Sequence, residues 1–352
     1  MPSRVHCRDA NSVAKGRLVK LGALAGAGLL AGVVSWGATY HLGYYAIAPG
    51  GVIPVVGHPG LLRVANHDPR LPGRVYLVYV YLDQVTPLEW ISYHFSSHVE
   101  LVPAAEVSAG YSQSVLDQVE QAQMVASQQA AEAAALSELG YRVKSAAACV
   151  VDAVLDHSPA ARLRAKYGLA PGDLIVEAGR PVSSVSELGS ILATMRPGEA
   201  VRLAWVGPAG TGKREATVQL ARGPRGKAFL GLMVSNGYYW HFPLQVQLRS
   251  DGVNGPSGGL AFALGIMDEL TKGKTLGSLE VAATGTVAPN GAVGPVGGVE
   301  EKAWAVYAAG LKVFLVPASE VAEAREAVGD KVRIIGVSSL KQAAEDLAEL
   351  RR

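Results

Sequence analysis

Gly255-Pro256-Ser257-Gly258-Gly259 precedes the apolar run Leu260-Ala261-Phe262-Ala263-Leu264-Gly265-Ile266-Met267. Gly255 and Pro256 deny the chain a helical path before Ser257, while the run can bury a broad helix face. Ser257 therefore falls near a first helical turn, where N–H groups lack intrahelical partners and the dipole end is positive. An oxyanion forming beside it would meet donors already in place. An ordinary N-cap serine in a Gly-rich turn fits the same five residues.

A serine hydroxyl attacks only when a base takes its proton. Gly255-x-Ser257-x-Gly259 fits the nucleophile elbow of α/β-hydrolases, whose histidine follows the serine. The last of the eight histidines here is His241, which precedes it, so that reading fails. Carboxylates and lysines remain. Lys302 falls in a predicted helix, Glu300 to Ala309, with Trp304, Ala305 and Ala308 on an apolar face. To act as a base near neutrality its amine must drop from about 10.4 toward 7, roughly 4 kcal/mol, which burial can supply. A solvated lysine paired with Glu300 or Glu301 is the alternative.

Asn254-Gly255-Pro256-Ser257-Gly258-Gly259 resembles the DGPSAG motif of Lon-type serine proteases, and Gly297-Gly298-Val299-Glu300-Glu301-Lys302 resembles their GG-[LI]-x-EK motif. Thr284-Gly285 matches the TG pair between them. The resemblance implies Ser257 as nucleophile, Lys302 as general base and Thr284 as the lysine's hydrogen-bonding partner. Gly255, Gly258 and Asn254 support the turn. Asn254 stands where the family usually has Asp, and Gly258 where it usually has Ala.

The elements that must position these residues begin far upstream. Of 352 residues, 49% are hydrophobic, enough for two domains with ample cores. A net charge of +2 favours neither nucleic acid nor an acidic polymer as partner. The first twenty residues carry Arg4, Arg8, Lys15, Arg17 and Lys20 against Asp9, and no charge follows from Leu21 to Tyr40. A basic tail (1–20) and a transmembrane anchor (21–45) are expected, with the remainder extracytoplasmic. A cleaved signal peptide competes, though its apolar region would be shorter. Cys7 and Cys149 would then lie on opposite sides of the membrane, and neither has a metal-ligand partner at suitable spacing.

Residues 46–139 read as a β-rich segment followed by a helix. Val75 to Leu82 is a strand ended by Asp83, and Tyr111 to Leu139 is a helix with Val115, Val119, Ala122 and Ala126 on one stripe. Ser114-x-x-Asp117 fits a cap at its start, and Gly140 stops it. Residues 140–222 resemble a PDZ domain of the bacterial protease type, with strands at Ala148 to Val154, Leu174 to Glu177, Val201 to Val206 and Ala216 to Leu220. PDZ domains take a peptide as an added strand. The resemblance puts the carboxylate loop at Gly140-Tyr141-Arg142-Val143, with Arg142 in place of a usual glycine. A module that only braces the neighbouring domain is the alternative.

Gly207 to Lys213 copies the first seven positions of a phosphate loop, but Arg214 replaces the Ser/Thr that holds magnesium. The alternating residues after it make this a hairpin turn. In the last part, 228–352, Val313 to Pro317 and Val332 to Val337 read as strands, and Val321 to Val328 and Ser339 to Leu350 as helices.

The expected fold class is a mixture of α/β and β: an N-terminal transmembrane helix, a PDZ-like small β-barrel, and a Lon-protease-type α+β domain. The expected function is an ATP-independent, membrane-anchored serine endopeptidase acting on flexible or unfolded proteins. No cofactor, metal, nucleotide or nucleic acid is expected. The resemblance implies a homo-oligomer, a ring of six in Lon-type domains. The competing reading is a proteolytically inactive PDZ scaffold on the same fold.

Overall fold

The structure, a computed structural model, describes residues 31–56, 60–64, 71–96, 98–108, 110–244 and 246–352. It divides into two compact units: residues up to Ile47 with Leu82–Val107, and Ala48–Tyr81 with Ser108–Arg352.

In the first unit residues 31–39 are helical. The strand that starts at Tyr44 pairs antiparallel with Glu100–Pro103, Tyr45 facing Val102. The helix Pro87–His94 opens on a capping box: the Thr86 N–H donates to the Glu89 carboxylate at 2.9 Å, and the Glu89 N–H donates to the Thr86 hydroxyl at 3.4 Å.

This unit corrects the expected anchor over residues 21–45. Among the described residues no helix is long and apolar enough to cross a membrane. Tyr44 and Tyr45, at the end of the expected anchor, are strand residues instead, and Tyr45 is buried. The single-pass topology, and the extracytoplasmic location that rested on it, fall with that segment. The basic tail, Cys7 and the first part of the apolar run lie outside the described residues.

The second unit contains a sheet in which Arg333–Val337, Val313–Pro317, Glu280–Ala283 and the Arg74–Leu77 stretch lie side by side, all parallel. Val281-Ala282-Ala283 and Val313-Phe314-Leu315-Val316 are unbroken apolar runs because both sheet faces are covered. Val75, Leu77, Val281, Ala283, Leu315 and Val337 enter one core with the helices Gln113–Glu138, Gly259–Leu270 and Leu340–Leu350. Val78, Ala282, Phe314, Val316 and Ile334 enter another with the helices Val299–Ala308 and Val321–Val328. The Ser257 helix and the Lys302 helix thus pack on opposite faces of one sheet. The strand at Arg74, read from sequence as part of a separate β-rich segment, is a member of that sheet.

A five-stranded antiparallel sheet follows the order Leu232–His241, Lys144–Val154, Leu174–Ala178, Ala200–Val206, Arg214–Gln219. It closes over a core of its own, with Trp205 and Leu203 wholly buried. Its edge strand, Leu232–His241, lies beyond the boundary at Arg222 expected for this module. Gly207 to Lys213 is the turn of a hairpin, held by Gly207 N–H to the Thr211 carbonyl at 2.9 Å.

The long helix Gln113–Glu138 touches both sheets. The expected apolar stripe is partly displaced: Val115 and Ala122 are buried, Ala126 is exposed, and the polar Gln118 and Ser127 are buried instead. Ser114 does not cap the helix; its hydroxyl donates to the Asp156 carboxylate at 3.0 Å. Gln118 explains its own burial, since its carboxamide accepts from the Val154 N–H at 3.1 Å and donates to the Val154 carbonyl at 3.3 Å. Gln118→Leu keeps the bulk but leaves both backbone groups without that partner. It is expected to cost about 1–3 kcal/mol, read as a lower urea midpoint at unchanged m-value; an unchanged midpoint would show that the clamp is dispensable.

Candidate active site

Gly255 turns the chain at φ 87°, where a residue with a Cβ would be strained, and so aims Pro256 and Ser257 into a short 3-10 turn at the helix start. The long helix holds this turn from behind. Gly255 N–H donates to the Glu120 carbonyl at 3.1 Å, and the Ser127 hydroxyl donates to the Pro256 carbonyl at 2.8 Å. Asn254 is exposed and makes no hydrogen bond among the described residues.

The end of the strand Glu280–Ala283 holds the turn from the front. The Ser257 carbonyl accepts from the Gly285 N–H at 2.9 Å and from the Thr284 hydroxyl at 3.3 Å, while the Leu260 N–H donates to the Gly285 carbonyl at 3.0 Å. Thr284, wholly buried, is held in turn by its own N–H on the Leu315 carbonyl. Its hydroxyl therefore reaches the serine's main chain rather than the lysine. Ser257 sits half-buried at the positive end of a helix whose residues from Gly259 to Glu269 are all buried.

Gly258, where the resemblance led one to look for alanine, takes a methyl group only if Leu77 shifts. A Cβ there would stand 2.6 Å from Leu77 Cδ1 and 3.1 Å from Phe262 Cε2. Leu77 fills the space that alanine would take.

Lys302 is the fourth residue of its helix and only 3% exposed. Gly298, left-handed at φ 63°, bends the chain into that helix, and the ammonium folds back to donate to the Gly297 carbonyl at 2.8 Å. Burial pushes its amine down to about 8, opposed by the carboxylates of Glu320 and Glu301. Glu320, itself buried, accepts from the Val296 N–H at 2.9 Å through one oxygen; the other oxygen has no partner among the described residues. Sequence reasoning missed Glu320, because nothing local distinguishes a carboxylate at a strand–helix junction from a solvated one.

A hydrogen bond joins Thr284 to the Ser257 carbonyl, and the Lys302 amine bonds the Gly297 carbonyl. The Ser257 hydroxyl makes no hydrogen bond among the described residues. Catalytic hydrogen bonds of unliganded sites commonly form only once substrate is bound. Gly140 and Tyr141, expected in a carboxylate-binding loop, spend their N–H groups on the Ser137 and Leu136 carbonyls at the end of the long helix. Arg142 is exposed and Val143 half-buried in the link that follows. The edges of that sheet are Leu232–His241 and Arg214–Gln219.

Residues 246–349 match the family model described as the Lon protease (S16) C-terminal proteolytic domain. Lon protease 1 of Herpetosiphon aurantiacus is 34% identical over 110 residues, 30% of this chain and 13% of that protein. The Lon protease of Helicobacter pylori is 32% identical over 118 residues, 32% of this chain and 14% of that protein. The chain thus spans only a small part, 13% in the first case, of the curated relatives it matches. Among solved structures, the PDZ domain of the SdrC-like protein from Listeria monocytogenes is 25% identical, with a TM-score of 0.22, covering 25% of this chain and 86% of that one. The family match supports the resemblance read from the three motifs: over residues 246–349 the chain is Lon-like, and the match supports a serine peptidase.

Two outcomes follow from the packing and the charge. Gly258→Ala is expected to destabilise by about 1–3 kcal/mol through overpacking, with Leu77→Val recovering part of the loss in a double-mutant cycle. For Lys302, an unfolded lysine near 10.4 holds its proton more firmly than the buried one near 8. Folding releases a proton between those values, so stability rises as pH climbs from about 8 to about 10.4. NMR titration of ε-13C-labelled lysine should place its midpoint near 8, and lower in Glu320→Gln, where the charged form loses a favourable partner. A midpoint unchanged or raised in that variant would remove Glu320 from the account.

Proposed function

We propose that this protein is an ATP-independent serine endopeptidase that cuts flexible or unfolded polypeptides with Ser257 and Lys302. The observation that carries the proposal is a lysine 3% exposed, its amine brought down to about 8, in the same Lon-like stretch as Ser257. At neutral pH a useful fraction of that amine is uncharged and able to accept a proton.

In the reaction, neutral Lys302 Nζ takes the Ser257 hydroxyl proton as Oγ attacks the scissile carbonyl. The positive end of the helix after Ser257 stabilises the oxyanion. The ammonium returns its proton to the departing amine, leaving an acyl-enzyme. Water, deprotonated by the same amine, then frees the new carboxylate and restores the serine. Thr284 keeps the Ser257 main chain against the strand end, a positioning role. Support for nucleotide independence comes from Gly207 to Lys213, whose hairpin geometry presents strands rather than a helix N-terminus to a phosphate. Support for polypeptide docking comes from the free side of Leu232–His241, which can take an added strand. Assembly into a homo-oligomeric ring belongs to the same proposal and rests on the resemblance alone.

The open Ser257–Lys302 contact favours one rival, an inactive scaffold whose strand edge is its function. Hydrolysis of an unfolded protein substrate separates the two. Ser257→Ala and Lys302→Ala are each expected to lower the rate by about 10³-fold or more, with little further loss in the double variant. The parent rate should rise with pH to a plateau above about 8. Equal rates in the parent and Ser257→Ala proteins would establish the scaffold.

A further inference from the structure

A pocket of about 640 Å³ opens between the long helix Gln113–Glu138, the hairpin turn after Val206, and the chain that follows the edge strand. Its size is that of a small-molecule or side-chain site. Trp240, Phe242, Leu244 and Leu248 form an apolar wall, and the rings of Trp240 and Phe242 stack with centroids 5.8 Å apart. Glu132 also lines it. This glutamate is only 7% exposed, and its carboxyl makes no hydrogen bond or ion pair with any described residue.

Glu132 is costly where it stands. A largely buried carboxyl without a protein partner gives up most of its hydration and gains no hydrogen bond in exchange. Burial alone pushes it up to about 8, and no charged neighbour contributes. Among the described residues no other titratable side chain lines the pocket. The cations nearest along the chain are engaged elsewhere: Lys213 of the turn lies 4.0 Å from Glu177, and Arg249, next after Leu248, pairs with Asp251 at 2.7 Å. A leucine or glutamine at this position of an Ala-rich helix would be cheaper, so the carboxyl is suited to a partner that arrives from outside.

We infer that this pocket is a binding site for an ammonium or guanidinium group on an apolar stem, supplied by a lysine or arginine side chain of a bound polypeptide. The aromatic wall takes the stem and adds a cation–π contribution, and the Glu132 carboxylate takes the charge. A polypeptide is the favoured source because the walls lie along an extended chain segment and an edge strand, Leu232–His241. The helix that carries Glu132 also holds the serine turn through Ser127 and Glu120. A chain seated here is thereby held on the same rigid element as the candidate nucleophile. The inference concerns binding and does not require that the chain be cut.

The test uses full-length protein carrying Ser257→Ala, so that peptide stays intact, and reads binding by fluorescence anisotropy. The probes are fluorescein-labelled pentapeptides with a central lysine or norleucine between leucines. The lysine peptide is expected to bind at least tenfold tighter. Adding Glu132→Gln should reduce that preference to less than threefold. Adding Thr211→Trp at the lining turn should abolish binding without disturbing Glu132. Calorimetry at pH 7 in phosphate and in Tris should give heats that differ, because the cation drives a proton off Glu132. Equal affinity for the two peptides, or a preference untouched by Glu132→Gln, overturns the inference. If n-butylammonium displaces the lysine peptide at concentrations matching the peptide's own affinity, the site belongs to free amines and the polypeptide assignment fails.

Discussion

Backbone hydrogen bonds join the end of the strand Glu280–Ala283 to the turn that carries Ser257, running from Gly285 N–H to the Ser257 carbonyl and from Leu260 N–H to the Gly285 carbonyl. The strand end cannot drift, because its neighbours bury it on both sides and on both faces. Gly285 itself admits no side chain, since a Cβ would stand 2.9 Å from Val293 Cγ1. The serine turn is thus attached to a buried strand end. Lys302 is fixed by the same sheet from its other face. A reaction joining the two would take place beyond the carboxyl ends of parallel strands, where open α/β sheets leave a crevice.

Charge burial is the second constraint. Lys302, Glu320 and Glu132 are withdrawn from water at a cost that packing alone would not tolerate repeatedly. Lys302 and Glu320 lie close enough to influence each other, yet in this conformation each bonds a backbone group of the Val296–Gly297 stretch instead. That stretch therefore shares partners with both members of a charge pair.

The long helix Gln113–Glu138 explains how two sheets with separate cores act on one site. Its polar residues are each spent on a different neighbour: Gln118 on Val154, Ser127 on Pro256, and Gln129 on the Pro208 carbonyl at 2.8 Å. Periodicity located the helix and missed this pattern. An apolar stripe through Ala126 fits an isolated amphipathic helix, whereas a helix packed on several sides buries polar groups wherever a backbone atom needs a partner. The same limit applies at Gly140, a sound helix stop in sequence, whose N–H serves that helix and no ligand loop. It applies most strongly at residues 21–45: absence of charge is compatible with a membrane helix, but a strand ladder claims Tyr44 and Tyr45.

The order of residues by itself determined the local chemistry. Gly and Pro before an apolar run force a helix start at Ser257, absence of a later histidine leaves lysine as the candidate base, and unbroken apolar runs such as Val313–Val316 announce buried parallel strands. These are consequences of backbone sterics and side-chain type, which act within a few residues. Only the tertiary structure decided which face of the sheet each helix covers, that Leu77 occupies the space beside Gly258, that Glu320 faces Lys302, and that Leu232–His241 is an edge. Each of those depends on segments far apart in sequence meeting in a densely packed interior, where burial and dielectric are properties of the assembled fold.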